Sequence, residues 1–120
     1  MNDININLVI VDDEIEILEL LQDLLEDEGF SIQTFDKAEA AINYLEKKPE
    51  VDIILSDYHM KEIDGLSFLR KINSEKLYSG KFYLCTGDMN FDSKEFKDIG
   101  GTDIITKPYD IDYLIEFLKK

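Results

Sequence analysis

Five residues of chemical interest stand at, or just beyond, the carboxyl-terminal ends of short apolar runs. Asp12 and Asp13 follow residues 6–11 (INLVIV), Asp57 follows residues 51–56 (VDIILS), Thr86 closes residues 81–86 (KFYLCT), and Lys107 follows residues 103–106 (DIIT). Three carboxylates in one small volume repel one another and are poorly tolerated in a low-dielectric crevice unless a cation sits among them. All-oxygen ligands favour Mg²⁺, a hard ion that keeps several waters and takes only one or two protein carboxylates. A metal-bound carboxylate beside an ammonium and a hydroxyl suits phosphoryl transfer. That reaction needs an in-line oxygen nucleophile, a cation on one phosphoryl oxygen and donors for the others. Asp57 is then the nucleophile, Lys107 and Thr86 are the donors, and the product is an aspartyl phosphate that water later removes.

The elements that must position these side chains are legible in the periodicity. Residues 6–11 are rich in branched side chains and too short for a helix, so they read as a buried strand. From Glu14 onward Ile17, Leu20, Leu21, Leu24 and Leu25 follow helical spacing, with Gly29 placed to end the helix. Phe30, Ile32 and Thr34 alternate as in a strand at a sheet edge. Asp36 and Glu39 resemble a capping box opening a helix through Ala38, Ala41, Ile42 and Leu45, which Pro49 closes. Residues 51–56, 81–86 and 103–106 supply three more strands. Leu66, Leu69 and Ile72 mark a helix, and Asp110 opens a last one carrying Ile111, Leu114, Ile115 and Leu118. Between Phe91 and Ile99 the helical stripe is poor, although Asp92 or Ser93 is placed to cap it. Strand and helix alternating to the end predict a doubly wound parallel sheet. Its ligand chemistry gathers beyond the carboxyl ends of the strands.

Composition narrows the classes. The chain has 120 residues, enough for one core, with 44% hydrophobic and 33% charged residues. Thirteen Lys and Arg against 27 Asp and Glu leave a net charge of −14, which repels phosphate backbones and anionic lipid, so direct nucleic-acid binding is not expected. Cys85 is the one cysteine, which rules out an internal disulfide and suits a reducing cytoplasm. No apolar run approaches the ~18 residues of a membrane span.

Taken singly each site residue has an ordinary explanation. An acidic pair caps a helix, an aspartate caps a turn, a threonine fits a strand, and a lysine is a solvated charge. Taken together they are in register on alternating elements. With Met60, the Asp64-Gly65 turn, Thr86-Gly87 and Lys107-Pro108, the chain resembles the receiver domains of two-component response regulators over essentially its whole length. The resemblance implies a CheY-like, flavodoxin-like (βα)5 α/β sandwich of strand order 2-1-3-4-5, as one domain over residues 1–120.

It further implies a phosphoacceptor at Asp57 and a Mg²⁺ site from Asp12, Asp13, Asp57 and the backbone carbonyl of His59. Thr86 moves toward the phosphoryl group, Lys107 pairs with it, and the Lys107-Pro108 bond is cis. Side chains at His59 and Asp88 flank the phosphoryl group and tune its lifetime. The implied partners are a sensor histidine kinase or phosphotransfer protein upstream and a protein partner or fused output domain downstream, the receiver being a monomer or weak homodimer. It catalyses its own phosphorylation and dephosphorylation without being a turnover enzyme. The last two helices and the strand between them form the output face, with Tyr109 and Tyr113 available there.

Two positions depart from the family. Ile104 stands at the switch position, where many receivers carry Tyr or Phe, and an aliphatic side chain has no ring to turn inward. Lys61 stands where proline is frequent, which loosens the loop after Asp57. Two other classes share the fold's logic. A phosphatase of the haloacid dehalogenase type needs a carboxylate where His59 stands, and a flavodoxin-like binder needs a phosphate-cradling loop where Asp12-Asp13 stands.

Overall fold

The computed structural model describes residues 5–87, 91–108 and 110–119. Along them run β1 (Ile6–Val11), α1 (Ile15–Glu26), β2 (Phe30–Phe35), α2 (Ala38–Leu45), β3 (Ile53–Asp57), α3 (Gly65–Ser74), β4 (Lys81–Thr86), α4 (Ser93–Asp98), β5 (Asp103–Thr106) and α5 (Ile111–Lys119). All strand pairs are parallel, in the order β2-β1-β3-β4-β5. The expected sandwich and strand order are therefore present, with β2 at an edge.

Side-chain alternation along the inner strands explains why helices cover both faces. Leu8 and Ile10 of β1, Ile53 and Leu55 of β3, and Tyr83 and Cys85 of β4 pack against Leu18, Leu21 and Leu25 of α1 and Leu114 and Leu118 of α5. Their neighbours Val9, Val11, Ile54, Phe82 and Leu84 face the opposite cluster, with α2, α3 and Phe96 of α4. Phe68, Phe82 and Phe96 are fully buried there, each stabilising the fold by about 2 kcal/mol of apolar transfer. Strand order reverses around β1, so the crevice between the carboxyl ends of β1 and β3 is where a site belongs.

Some local expectations are corrected. The buried stripe of α1 is Leu18, Leu21 and Leu25, whereas Leu20 is half exposed. A leucine-rich segment offers two overlapping helical stripes, and only the position of the sheet selects between them. The capping box at Asp36 and Glu39 does not form: Lys37 is the N-cap of α2 and makes no side-chain cap. At α4 the cap is Asp92, whose Oδ1 accepts from the N–H groups of Lys94 and Glu95, both at 3.0 Å. Gly29, past the end of α1, has φ 97°, which a residue with a Cβ adopts only with strain. Among the described residues, no helix is long and apolar enough to cross a membrane.

Candidate functional site

β3 carries Asp57 as its last residue, and β1 stops one residue before Asp12. In the β1–β3 register Val11 pairs with Ser56, so the next pair along is Asp12 beside Asp57. Both are buried, at 4% and 7% exposure, and one oxygen each from Asp12, Asp13 and Asp57 lies within 4.8 Å of the others. β4 and β5 deliver the counter-charge. The Lys107 N–H donates to the Thr86 carbonyl at 3.0 Å, continuing the β4–β5 pairing past the strand end. Lys107 Nζ donates to Asp57 Oδ1 at 3.0 Å and lies 3.8 Å from Asp12 Oδ2. The Lys107-Pro108 bond is cis, as the resemblance implies.

One ammonium among three carboxylates leaves uncompensated negative charge in a crevice lined by hard oxygens. That donor set fits a divalent cation such as Mg²⁺. Asp12 responds to its burial in this crevice. Burial raises its pKa above the usual 3.8, and the charges of Asp57 and Glu14 push the same way, against the Glu14 N–H bond at 3.0 Å and Lys107. For Lys107, burial favours the neutral amine, but the hydrogen bond and charge of Asp57, helped by Asp12, outweigh it and raise its pKa above the usual lysine value. Lys107 is therefore a fixed cation at neutral pH. Burial pushes the Cys85 thiol, behind the site, up to about 12, so it is inert as a nucleophile.

The raised Asp12 value has a stability consequence of definite sign. A carboxyl held above its unfolded value favours the folded state at acid pH, and that contribution is lost as pH rises through the folded value. Asp12→Asn keeps an oxygen for the Glu14 N–H and removes the charge. In metal-free buffer at pH 7 it is expected to stabilise the fold by about 1 kcal/mol, or roughly 3–6 °C in Tm. The gain shrinks as pH falls and is gone below the usual carboxyl value of 3.8, and added Mg²⁺ raises the Tm of wild type more than that of the variant. Equal Mg²⁺ responses in thermal melts would contradict this account of the crevice.

The loop after Asp57 closes the site from the side. Asp13 Oδ2 accepts from the Lys61 N–H at 3.2 Å. Beyond it the Ile63 N–H donates to the Lys61 carbonyl at 2.8 Å across Glu62, whose φ of 71° is the left-handed value of a tight three-residue turn. Asp64 caps α3 by accepting from the Ser67 N–H at 2.7 Å, and the Gly65 N–H donates to the Tyr58 carbonyl at 2.8 Å. A Cβ on Gly65 would lie 2.5 Å from the Asp57 carbonyl oxygen and 2.6 Å from Leu84 Cδ1, so this position requires glycine.

The remaining expected residues are placed as follows. Thr86 is buried at the end of β4, one residue past Cys85, the register partner of Asp57. His59 is exposed, with its ring edge-on to Tyr58 at 4.8 Å. Ile104 is half buried and packs against the α2–α3–α4 cluster. Tyr113 is exposed on α5. Asp88 and Tyr109 lie outside the described residues. The Lys61 N–H on Asp13 was not foreseen, because a backbone donor leaves no trace in residue type. Gly65 was read as part of a turn, and its steric role shows only when the Asp57 carbonyl is seen packed against it.

Comparisons with known proteins speak to the fold and the family. The chain is 33% identical over 102 residues to the regulatory protein VanRc of Enterococcus gallinarum, covering 85% of this chain and 43% of the relative. It is 32% identical over 106 residues to the alkaline phosphatase synthesis transcriptional regulatory protein PhoP of Bacillus subtilis, covering 88% and 43%. The chain thus spans less than half the length of these relatives. Among solved structures, the chemotaxis protein CheY4 of Vibrio cholerae matches with a TM-score of 0.86 at 24% identity, covering 97% of this chain and 98% of that one, which shows the shared fold. The family model for the response regulator receiver domain matches residues 8–119, and the chain belongs to that family.

Proposed function

We propose that Asp57 accepts a phosphoryl group from a phosphohistidine on a sensor histidine kinase or phosphotransfer protein, and that the phosphorylated receiver presents an altered helical face to a downstream partner or fused output module. The observation that carries this reading is Lys107 Nζ at 3.0 Å from the buried Asp57 carboxylate, inside a cluster of three carboxylates. An Asp57 oxygen attacks phosphorus as the P–N bond breaks. The electron pair leaves with the imidazole, which takes up a proton. Asp12, Asp13, Asp57 and the His59 carbonyl would hold Mg²⁺, which supplies charge neutralisation on a phosphoryl oxygen. Lys107 stabilises the negative charge that builds on another oxygen, and the Thr86 hydroxyl donates to a third.

Residues 1–120 act as one domain and release the phosphoryl group to water without turning over a separate substrate. His59 and Asp88 flank the acyl phosphate and set its lifetime. The receiver works in the cytoplasm as a monomer or weak homodimer. Its net charge of −14 keeps this segment itself off nucleic acid. The rival readings are disfavoured by the same site. The residue two after Asp57 is an exposed histidine rather than a carboxylate, and carboxylates occupy the place where a flavin phosphate would need donors.

The test is incubation of wild type with acetyl phosphate and Mg²⁺, followed by intact mass and borohydride reduction to map the acyl phosphate. The expected result is one phosphoryl group per chain, dependent on Mg²⁺ and located at Asp57. A folded sample that neither gains an adduct nor binds beryllofluoride would show a site without phosphoacceptor chemistry.

A further inference from the structure

Tyr58 directly follows Asp57, and its N–H donates to the Cys85 carbonyl at 2.9 Å, fixing it to β4. Its ring lies 5.2 Å from Phe91, and Phe91 lies edge-on to Phe96 at 6.4 Å. Phe96 is the one buried side chain of α4. It is gripped on another side by Gly101, where a Cβ would fall 2.4 Å from the ring. The other holds on α4's side chains among the described residues are exposed ones, the Arg70–Glu95 pair at 2.9 Å and Lys97 Nζ donating to the Thr102 carbonyl at 2.5 Å, contacts of small energetic weight. The position of α4 therefore follows the position of Phe96. Ile104 packs against the same buried cluster as Tyr58 and Phe91, and its branched side chain is stiff at χ1.

We propose that Tyr58, Phe91 and Phe96 form an aromatic string that passes the state of Asp57 to α4, with Ile104 a passive packing residue. The inference rests on the phosphoacceptor reading above. A phosphoryl group on Asp57 draws the Thr86 hydroxyl toward it. Tyr58 follows Asp57 in the chain and is bonded to Cys85, the neighbour of Thr86, so a shift at these strand ends reaches Phe91, whose ring lies between Tyr58 and Phe96. Aromatic rings in packed contact move together rather than compressing. The string thus supplies the coupling between two sites that a population shift requires.

The experiment is hydrogen exchange of the peptide containing residues 93–99, with and without beryllofluoride and Mg²⁺, in wild type, Phe91→Leu, Tyr58→Leu and Ile104→Val. Beryllofluoride binding is followed separately by its Tm shift, and folding by circular dichroism. Wild type and Ile104→Val are expected to change their exchange by roughly threefold or more on binding, while Phe91→Leu binds the mimic and loses most of that change. Tyr58→Leu carries the same expectation from the other end of the string, should Phe91→Leu fold poorly. A full α4 response in a folded Phe91→Leu or Tyr58→Leu variant, a response lost in Ile104→Val, or a wild type that binds the mimic without any change at α4 would overturn the string alone. A wild type that does not bind beryllofluoride would overturn the phosphoacceptor reading, and the string with it.

Discussion

Asp57→Asn is expected to gain no phosphoryl group from acetyl phosphate and Mg²⁺, a loss of at least about a thousandfold in rate that places the adduct below detection. The amide keeps the size and planar shape of the carboxylate, so β3 and its neighbours need not move. What it lacks is the anionic oxygen that attacks phosphorus. The variant also leaves Asp12 as the near partner for Lys107, at 3.8 Å in the wild type, so the ammonium is not stranded in the crevice. Removing one of three crowded carboxylates offsets the loss of the 3.0 Å bond to Lys107. The Tm is therefore expected to stay within a few degrees, roughly 5 °C, of wild type. Intact mass and a thermal melt on the same sample separate the chemical effect from a folding defect. An undiminished adduct in Asp57→Asn would locate the phosphoacceptor elsewhere.

Gly65→Ala should cost about 3 kcal/mol of stability, or roughly 8–15 °C in Tm, for reasons of space alone. The added methyl meets the Asp57 carbonyl oxygen at 2.5 Å, Leu84 Cδ1 at 2.6 Å and Tyr58 Cα at 3.1 Å. Leu84 can rotate only into a filled core. The other two atoms are backbone at the end of β3, where the Tyr58 N–H is bonded to Cys85 and the Tyr58 carbonyl accepts from Gly65 itself. Alanine favours a helix over glycine by less than about 1 kcal/mol, too little to offset the clash. Because the displaced atom is the carbonyl of Asp57, the remaining folded fraction should also bind Mg²⁺ more weakly. A Tm within a degree or two of wild type would mean that α3 can retreat from β3, and that the fit at this contact is looser than the distances indicate.

The residues at the strand ends were legible because ligand chemistry on a parallel sheet gathers at the carboxyl ends of its strands, and Asp12, Asp57, Thr86 and Lys107 all stand at or just past the ends of apolar runs. The α1 stripe was legible only in part. Leu18 and Leu20 are equally apolar, and burial of one rather than the other depends on where β1 and β3 lie. The capping signal at Asp36 and Glu39 failed because Lys37 takes the N-cap position, and a one-residue slip in the helix start leaves both carboxylates without their donors. The resemblance to receivers carried the roles expected of His59 and Ile104, and for Ile104 the structure adds that it packs against the same buried cluster as Tyr58 and Phe91.

Periodicity and charge in the 120 residues by themselves determined the α/β class, the direction of the sheet and the identity of the five candidate site residues, since these depend on local pattern and on which residue types can do the chemistry. Distances and strains were decided only by the tertiary structure. Lys107 reaches Asp57 across 50 residues of chain, the Lys61 N–H closes on Asp13 across 48, and Gly65 is pressed against the Asp57 carbonyl. Such contacts join backbone and side-chain atoms brought together by strand register and close packing, and no residue's type or neighbours along the chain encode them.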